Sequence, residues 1–188
     1  MELLWSYFSK LDEYSRRRLL AWLLAGGVAV TLNYLGNFFG DKFYFVFAGP
    51  AAWMAGCFFN ALPVMDEKGL LVIPLMHSSI QVTPDCSGYG FFCMMTAMFV
   101  IFYQDIKWRM PMVGKVLATL LMAYLITIVT NGFRIVSGYK IHLITLKILP
   151  VAAQGVIHLA VGITFFLTVF MIAYLVLERK AFHDRTST

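Results

Sequence analysis

Long apolar runs separated by short polar segments dominate the pattern of this chain. A helix crosses the hydrocarbon core of a bilayer with about 20 mostly apolar residues, because each residue rises about 1.5 Å through a layer of about 30 Å. Four runs meet this requirement, at about residues 19–39, 86–104, 112–133 and 151–177. The pattern therefore predicts an all-α integral membrane protein, with residues 1–188 forming a single transmembrane domain of four transmembrane helices.

A fifth apolar stretch, residues 43–65, is interrupted by glycine, asparagine and two prolines. If it spans, the fifteen Lys and Arg residues divide seven to eight across the membrane. If it lies in the outer interface as a broken helix, ten are cytoplasmic and five are outside. Since an excess of cytoplasmic Lys and Arg is the rule, we predict an outer interfacial helix, both termini cytoplasmic, and a location in the plasma (inner) membrane.

Two polar segments flank these runs. Residues 1–18 alternate apolar and charged side chains at helical spacing, which predicts an amphipathic segment on the cytoplasmic surface. The β-branched runs Leu70 to Ile73 and Ile80 to Thr83 predict a small external β-hairpin, so residues 43–85 form the outer interfacial helix and hairpin. The run at 19–39 is longer than the core of a signal peptide, so we expect no cleavage there.

Composition narrows the class. With 60% hydrophobic and 13% charged residues and a mean hydropathy of +0.76, the chain does not fit an ordinary soluble domain. The net charge of +5 mostly reflects orientation in the membrane, and no nucleic-acid partner is expected; the partner is the lipid bilayer. Composition alone leaves three functional classes open: a membrane enzyme, a transporter and a structural subunit.

Three polar side chains lie equally far from the cytoplasmic ends of their helices: Cys86 is 19 residues from Asp105, Arg134 is 19 from Lys115, and His158 is 20 from Glu178. Each separation corresponds to about 29 Å of helix, which places all three at the outer hydrocarbon boundary. The spacing fixes their depth but not their lateral proximity.

Each of the three also has an ordinary structural interpretation. A membrane cysteine is commonly a small apolar filler, which is how we interpret Cys57 and Cys93. Arg134 could snorkel to lipid headgroups, and His158 could bond a neighbouring helix. Cys86 differs because it opens a helix, where the dipole lowers a thiol pKa, although the adjacent Asp85 would raise that pKa.

Together the three residues are typical of a cysteine-nucleophile site, with the imidazole as base and acid and the guanidinium stabilising an oxyanion. Asn131 shares a helical face with Arg134, and Gln154 lies one turn before His158, so both are candidate substrate-binding residues. The remaining histidines are weaker candidates, since we place two in external loops and one in the cytoplasmic tail: His77, His142 and His183. No CxxC, HExxH or phosphate-loop motif occurs, and we expect no metal and no cofactor.

These motifs resemble the exosortase and archaeosortase family. Cys86-Ser87-Gly88 opens a span after an external hairpin, Asn131-x-x-Arg134 ends the next span, and His158 lies in the last. The resemblance covers roughly residues 45–177, and the chain length is similar to the compact exosortases. Tyr89-Gly90-Phe91 departs from many members, so substrate preference does not carry over.

The resemblance implies a membrane cysteine protease and transpeptidase that acts on surface proteins with a C-terminal sorting signal. Such a signal is a short motif, such as Pro-Glu-Pro, then a transmembrane helix and a basic tail. By position, Cys86 would be the nucleophile, Arg134 the oxyanion-stabilising or substrate-positioning cation, and His158 the general acid and base. The site would face the outer side of the membrane.

Two other classes of function make different demands on these residues. A non-catalytic membrane subunit or small-solute carrier would use Arg134 and His158 to line a polar cavity, and would tolerate loss of Cys86. A quinone-linked thiol oxidoreductase would need a second reactive cysteine on the outer face, and the sequence offers none.

Overall fold

The computed structural model describes residues 13–76, 78–102 and 111–186. Within these ranges the chain forms helices separated by one small sheet and one short 3-10 turn, Pro84–Cys86. The helices are α1 (Glu13–Phe39), α2 (Asp41–Phe59), α3 (Tyr89–Phe102), α4 (Met112–Thr145) and α5 (Val151–Thr186). The predicted segment 1–18 lies outside the described residues up to residue 12, and its remainder is continuous with α1.

Three of the described helices are long and apolar enough to cross a membrane, with qualifying segments Leu19–Gly36, Val113–Thr145 and Ala153–His183. These correspond to three of the four predicted spans. The fourth, at 86–104, falls on α3, whose described part has 14 residues and is shorter than a bilayer requires. The predicted span ends at residue 104, which lies outside the described residues. The fourth span therefore stays a prediction.

Two helices extend beyond their predicted ends. Helix α4 was expected to stop near residue 133 but continues to Thr145, and α5 continues past 177 to Thr186. Hydropathy ends a span at the first charged residue, whereas backbone hydrogen bonding can continue a helix beyond such a residue, as it does past Arg134 in α4 and past Glu178 in α5. One consequence is that His142 lies in the last turn of α4 and not in a loop.

The predicted interfacial helix exists as α2 but packs lengthwise along α4. Contacts between the two helices advance in the same direction: the Tyr124 hydroxyl donates to the Val46 carbonyl at 2.8 Å, and the Phe59 and Tyr139 rings pack edge-on at 5.4 Å. A stripe of fully buried alanines permits this close approach, at positions 48, 51, 52 and 55. Hydropathy does not show which helix a small-residue stripe will meet, so this packing was not predicted; the interfacial position of residues 43–65 stays a prediction.

The predicted hairpin is present, together with a third strand. Strands β1 (Val64–Met65), β2 (Leu71–Leu75) and β3 (Ser78–Val82) form an antiparallel sheet in the order β1-β2-β3. Ile73 and Val82 are buried in a cluster that includes Ile135 and Val136 of α4. This packing holds the sheet beside the C-terminal part of α4. By the strand order, β3 is an edge strand of the sheet.

Helices α3, α4 and α5 form the frame of the site. The Phe91 and Phe166 rings stack at 4.6 Å and the Phe102 and Tyr174 rings meet edge-on at 5.5 Å, so α3 and α5 run in the same direction. Helix α4 runs opposite to α5, since His142 contacts Gln154 near the turn that joins the two helices. The C-terminal end of α4, the N-terminal ends of α3 and α5, and the sheet therefore meet in one place.

Candidate active site

Cys86 lies at the end of the 3-10 turn that joins β3 to α3. Thr83 is extended, Pro84 supplies the fixed φ of the first turn residue, and the Cys86 amide donates to the Thr83 carbonyl at 2.8 Å. The helix predicted to begin at Cys86 begins at Tyr89 instead. Cys86 is thus presented on a tight turn outside the membrane-spanning helices.

Gly88 allows this turn to rest directly on α4. Its φ is +81°, a left-handed conformation that side chains disfavour. A Cβ at this position would also lie 3.2 Å from Thr127 and 3.3 Å from Asn131. Two features therefore favour glycine at this position of the Cys-Ser-Gly motif: the left-handed backbone conformation and the close approach of the turn to α4.

Asn131 fastens the turn to α4. Its side chain is fully buried, and its Nδ2 donates to the carbonyls of Cys86 at 2.8 Å and Ser87 at 3.0 Å. Its Oδ1 accepts a hydrogen bond of 3.0 Å from Nε of Arg134. One amide group thus fixes both the turn that carries the thiol and the guanidinium beside it.

Arg134 is 7% exposed and reaches from α4 toward both the turn and α5. Its Nη2 donates to the Cys86 carbonyl at 3.1 Å, and its guanidinium carbon lies 5.3 Å from the centre of the Phe166 ring. A Cβ on Gly162 would lie 3.1 Å from Nη1, so the absence of a side chain there makes room for the cation. Arg134 is a buried, positioned cation and not a lipid-facing anchor.

His158 completes the group. Its Nε2 lies 3.8 Å from the Cys86 sulfur, within hydrogen-bonding distance for sulfur, and its ring lies against Gly138 of α4. This hydrogen bond is the main cause that lowers the pKa of Cys86 to about 6; burial opposes it, and bonds from Thr83 and the charge of Arg134 reinforce it. At neutral pH the thiol is therefore largely the nucleophilic thiolate.

A cavity of about 450 Å³ opens beside these three residues. The carboxamide oxygen of Gln154 accepts a 2.8 Å hydrogen bond from the Thr145 hydroxyl and lies 3.0 Å from Nδ1 of His142. The cavity is bounded by strand β3, the end of α4 and the start of α5: Ser78, Ser79, Ile80, Gln81, Val82, Cys86, Arg134, Ile135, Gly138, Tyr139, His142, Leu143, Leu146, Gln154, Gly155 and His158. Its volume is in the range of about 300–1,000 Å³ that is typical of ligand pockets.

The structure thus brings together every residue that the sequence singled out for the site, with Gln154 on the same cavity and Asn131 behind the turn. Sequence reasoning missed Tyr139, His142 and the edge of β3. For His142 a signal existed, since residues 134, 138 and 142 repeat every fourth position and so share one helical face. The described residues hold no group of three or more His, Cys, Asp or Glu side chains placed to bind a metal ion.

The comparisons with known proteins identify the family of the chain. The family model of the transmembrane exosortases (Exosortase_EpsH) matches residues 17–175, which is most of the chain. No curated protein and no solved structure shows significant similarity to the chain. The exosortases are a family of membrane cysteine transpeptidases that act on sorting signals. By this match, the chain belongs to the transmembrane exosortase family.

Proposed function

We propose that this protein cleaves the C-terminal sorting signals of membrane-anchored surface proteins through a thioester on Cys86. The observation that supports the proposal most directly is the contact of 3.8 Å between the Cys86 sulfur and Nε2 of His158, with the Arg134 guanidinium on the same turn. A thiol, a base and a fixed cation are the groups that cysteine acyl transfer requires. The site is proposed to face the outer side of the plasma (inner) membrane.

The reaction follows from these positions. His158 accepts the thiol proton, and the Cys86 thiolate attacks the carbonyl carbon of the scissile peptide bond. Arg134, whose Nη2 donates to the Cys86 carbonyl, is proposed to stabilise the oxyanion of the tetrahedral intermediate. The C–N bond then breaks, His158 protonates the leaving amine, and the thioester passes its acyl group to water or to another nucleophile. Asn131 and Gln154 are proposed to support substrate binding, Asn131 by holding the turn and Gln154 from the cavity wall.

The test uses a reporter protein fused to the C-terminal signal of a candidate substrate from the same genome, identified by a motif, an apolar helix and a basic tail. We expect Cys86→Ala and Cys86→Ser to lower processing by about a thousandfold or more, since removal of a nucleophile leaves only binding and electrostatic stabilisation. Processing is followed by the mobility and mass of the reporter. Hydroxylamine added to the wild type should yield a C-terminal hydroxamate, because it attacks a thioester.

The matched control is Cys57→Ala. Cys57 is exposed on α2 and does not line the cavity, so its loss should leave processing unchanged. Normal processing by Cys86→Ala would refute the proposal. That result, combined with loss of function in Arg134→Ala and His158→Ala, would instead support the non-catalytic subunit or carrier.

A further inference from the structure

Strand β3 lies at the edge of the sheet. It pairs with β2 over its full length, from Leu71 opposite Val82 to Leu75 opposite Ser78. In the part of the chain that the structure describes, no strand pairs with its other edge. An unpaired edge presents a row of backbone N–H and C=O groups that can bind another extended chain.

This free edge faces the active-site cavity. All five consecutive residues of β3, from Ser78 to Val82, line the cavity, whereas no residue of β2 does. Side chains alternate between the two faces of a strand, so a cavity against one face would contact every second residue. Contact with every residue in turn means that the cavity runs along the edge of the strand.

The edge also leads to the nucleophile. Cys86 follows Val82 after four residues and lines the same cavity. At about 3.3 Å per residue, the four steps from Ser78 to Val82 span about 13 Å of edge, which is the length of a short peptide motif. The opposite wall carries Gln154, which is 9% exposed and whose Nε2 has no hydrogen-bond partner among the described residues. A bound chain that supplies an acceptor there would satisfy this buried donor.

We infer that the substrate segment next to the scissile bond binds as an added strand on the free edge of β3, between the sheet and the helical wall. This inference rests on the proposed function, because it assigns the binding mode of that substrate. Main-chain hydrogen bonds to β3 hold the segment extended. The pairing positions the scissile carbonyl at Cys86. It also keeps the acyl part of the substrate bound until water or another nucleophile attacks the thioester.

The first experiment replaces single backbone amides of a synthetic substrate peptide by esters, leaving out the scissile bond. Each ester removes one N–H donor without adding bulk. In strand pairing, successive N–H groups point to opposite sides, so only every second one can reach β3. We expect kcat/KM of the purified full-length protein to fall about tenfold at alternate positions and little at those between, given the usual strength of one hydrogen bond. Equal effects at all positions, or none, would overturn the inference.

The second experiment measures binding without catalysis. In the Cys86→Ala background, p-benzoylphenylalanine in place of Ser79 or Gln81 should crosslink to the peptide on irradiation. The matched control is the same residue in place of Met65, an exposed position on the opposite edge of the sheet that does not line the cavity. Crosslinks from Met65 alone, from neither edge, or from β3 only to a second copy of this protein would overturn strand addition.

The two proposals fail separately. If Cys86→Ala abolishes processing while the ester scan shows no alternation, strand addition is wrong and the thioester function stands. If Cys86→Ala processes the reporter normally, the function itself is wrong.

Discussion

At the scale of single residues, the contact between Cys86 and His158 is the feature on which the proposed reaction depends. The imidazole is the largest influence that lowers the thiol pKa, and the value of about 6 lies below neutral pH. A pKa in this range favours the thiolate, which is the form that attacks once the thiol proton has passed to His158 in the proposed reaction. The same pairing makes the reactivity of Cys86 depend on pH in a predictable direction.

We predict that alkylation of Cys86 by iodoacetamide rises with pH through a midpoint near 6. The experiment uses protein in which Cys57 and Cys93 are replaced by alanine, so that only one thiol reacts. In His158→Ala the main lowering influence is lost, and the midpoint should move upward toward the ordinary thiol value of about 9. The midpoint is the useful measure, because a thiolate of lower pKa is also a weaker nucleophile.

The matched control is His142→Ala. His142 lines the same cavity but bonds Gln154 and not Cys86, so its removal should leave the midpoint in place. An unchanged midpoint in His158→Ala, or an equal shift in both variants, would show that the imidazole does not set the thiol pKa.

The site residues themselves could be predicted from the sequence to a large extent. Counting residues from the cytoplasmic ends placed a thiol, a guanidinium and an imidazole at one depth, and the structure brings the three together. Helical rise gives position along an axis but carries no information on which faces meet. The contact between Cys86 and His158 therefore needed the structure, as did the position of Gly162 under Arg134.

At the scale of elements, the turn that carries Cys86 is attached to α4 mainly through Asn131. This side chain meets two turn carbonyls and one guanidinium nitrogen from a fully buried position. Groups left without partners in such a position cost about 1–3 kcal/mol each. The stability of the turn and the reactivity of the site are thus linked through one side chain.

We predict that Asn131→Ala lowers the thermal unfolding midpoint in detergent and also slows Cys86 alkylation at neutral pH, because Arg134 loses a partner and the turn loosens. Thr127→Val is the matched control: Thr127 is equally buried on α4, and among the described residues its hydroxyl bonds only the Ala123 carbonyl of its own helix. A loss of stability with normal alkylation and processing would mean that Asn131 is structural only.

Elements that are long enough to show a sequence pattern could be predicted more readily than short ones. The hairpin strands were expected from their β-branched runs, and both are present with ends shifted by a few residues. Strand β1 has two residues, too few for any periodicity to show. Helix α2 was expected, but its packing along α4 depends on the alanine stripe and on Gly132, where a Cβ would collide with Met54. Such complementarity between two segments is not visible in either segment alone.

At the scale of the whole molecule, the site lies where the sheet, the end of α4 and the start of α5 meet. The far end of α5 carries Glu178, Arg179 and Lys180, which the positive-inside distribution assigns to the cytoplasm. The cavity and these charges are thus at opposite ends of the same helix. Their separation allows the proposed orientation to be tested directly.

We predict that a cysteine introduced by Ser79→Cys reacts with a membrane-impermeant maleimide in intact cells, whereas one introduced by Lys180→Cys reacts only after permeabilisation. Both positions are exposed, so accessibility to reagent within the protein is comparable. The three native cysteines are replaced by alanine beforehand. The reverse pattern of labelling would place the cavity on the cytoplasmic side and contradict the proposed orientation.

Positions 154, 158, 162 and 166 follow one another every fourth residue along a single face of α5. In order, these positions hold Gln154 at the cavity, His158 beside the thiol, Gly162, which leaves room for the Arg134 guanidinium, and Phe166, whose ring lies against that guanidinium. A slide of α5 against α4 by one residue, about 1.5 Å, would misplace base and cation at once. The proposed activity is therefore expected to depend on the register between α4 and α5, since one helix face carries the base and the space for the cation together.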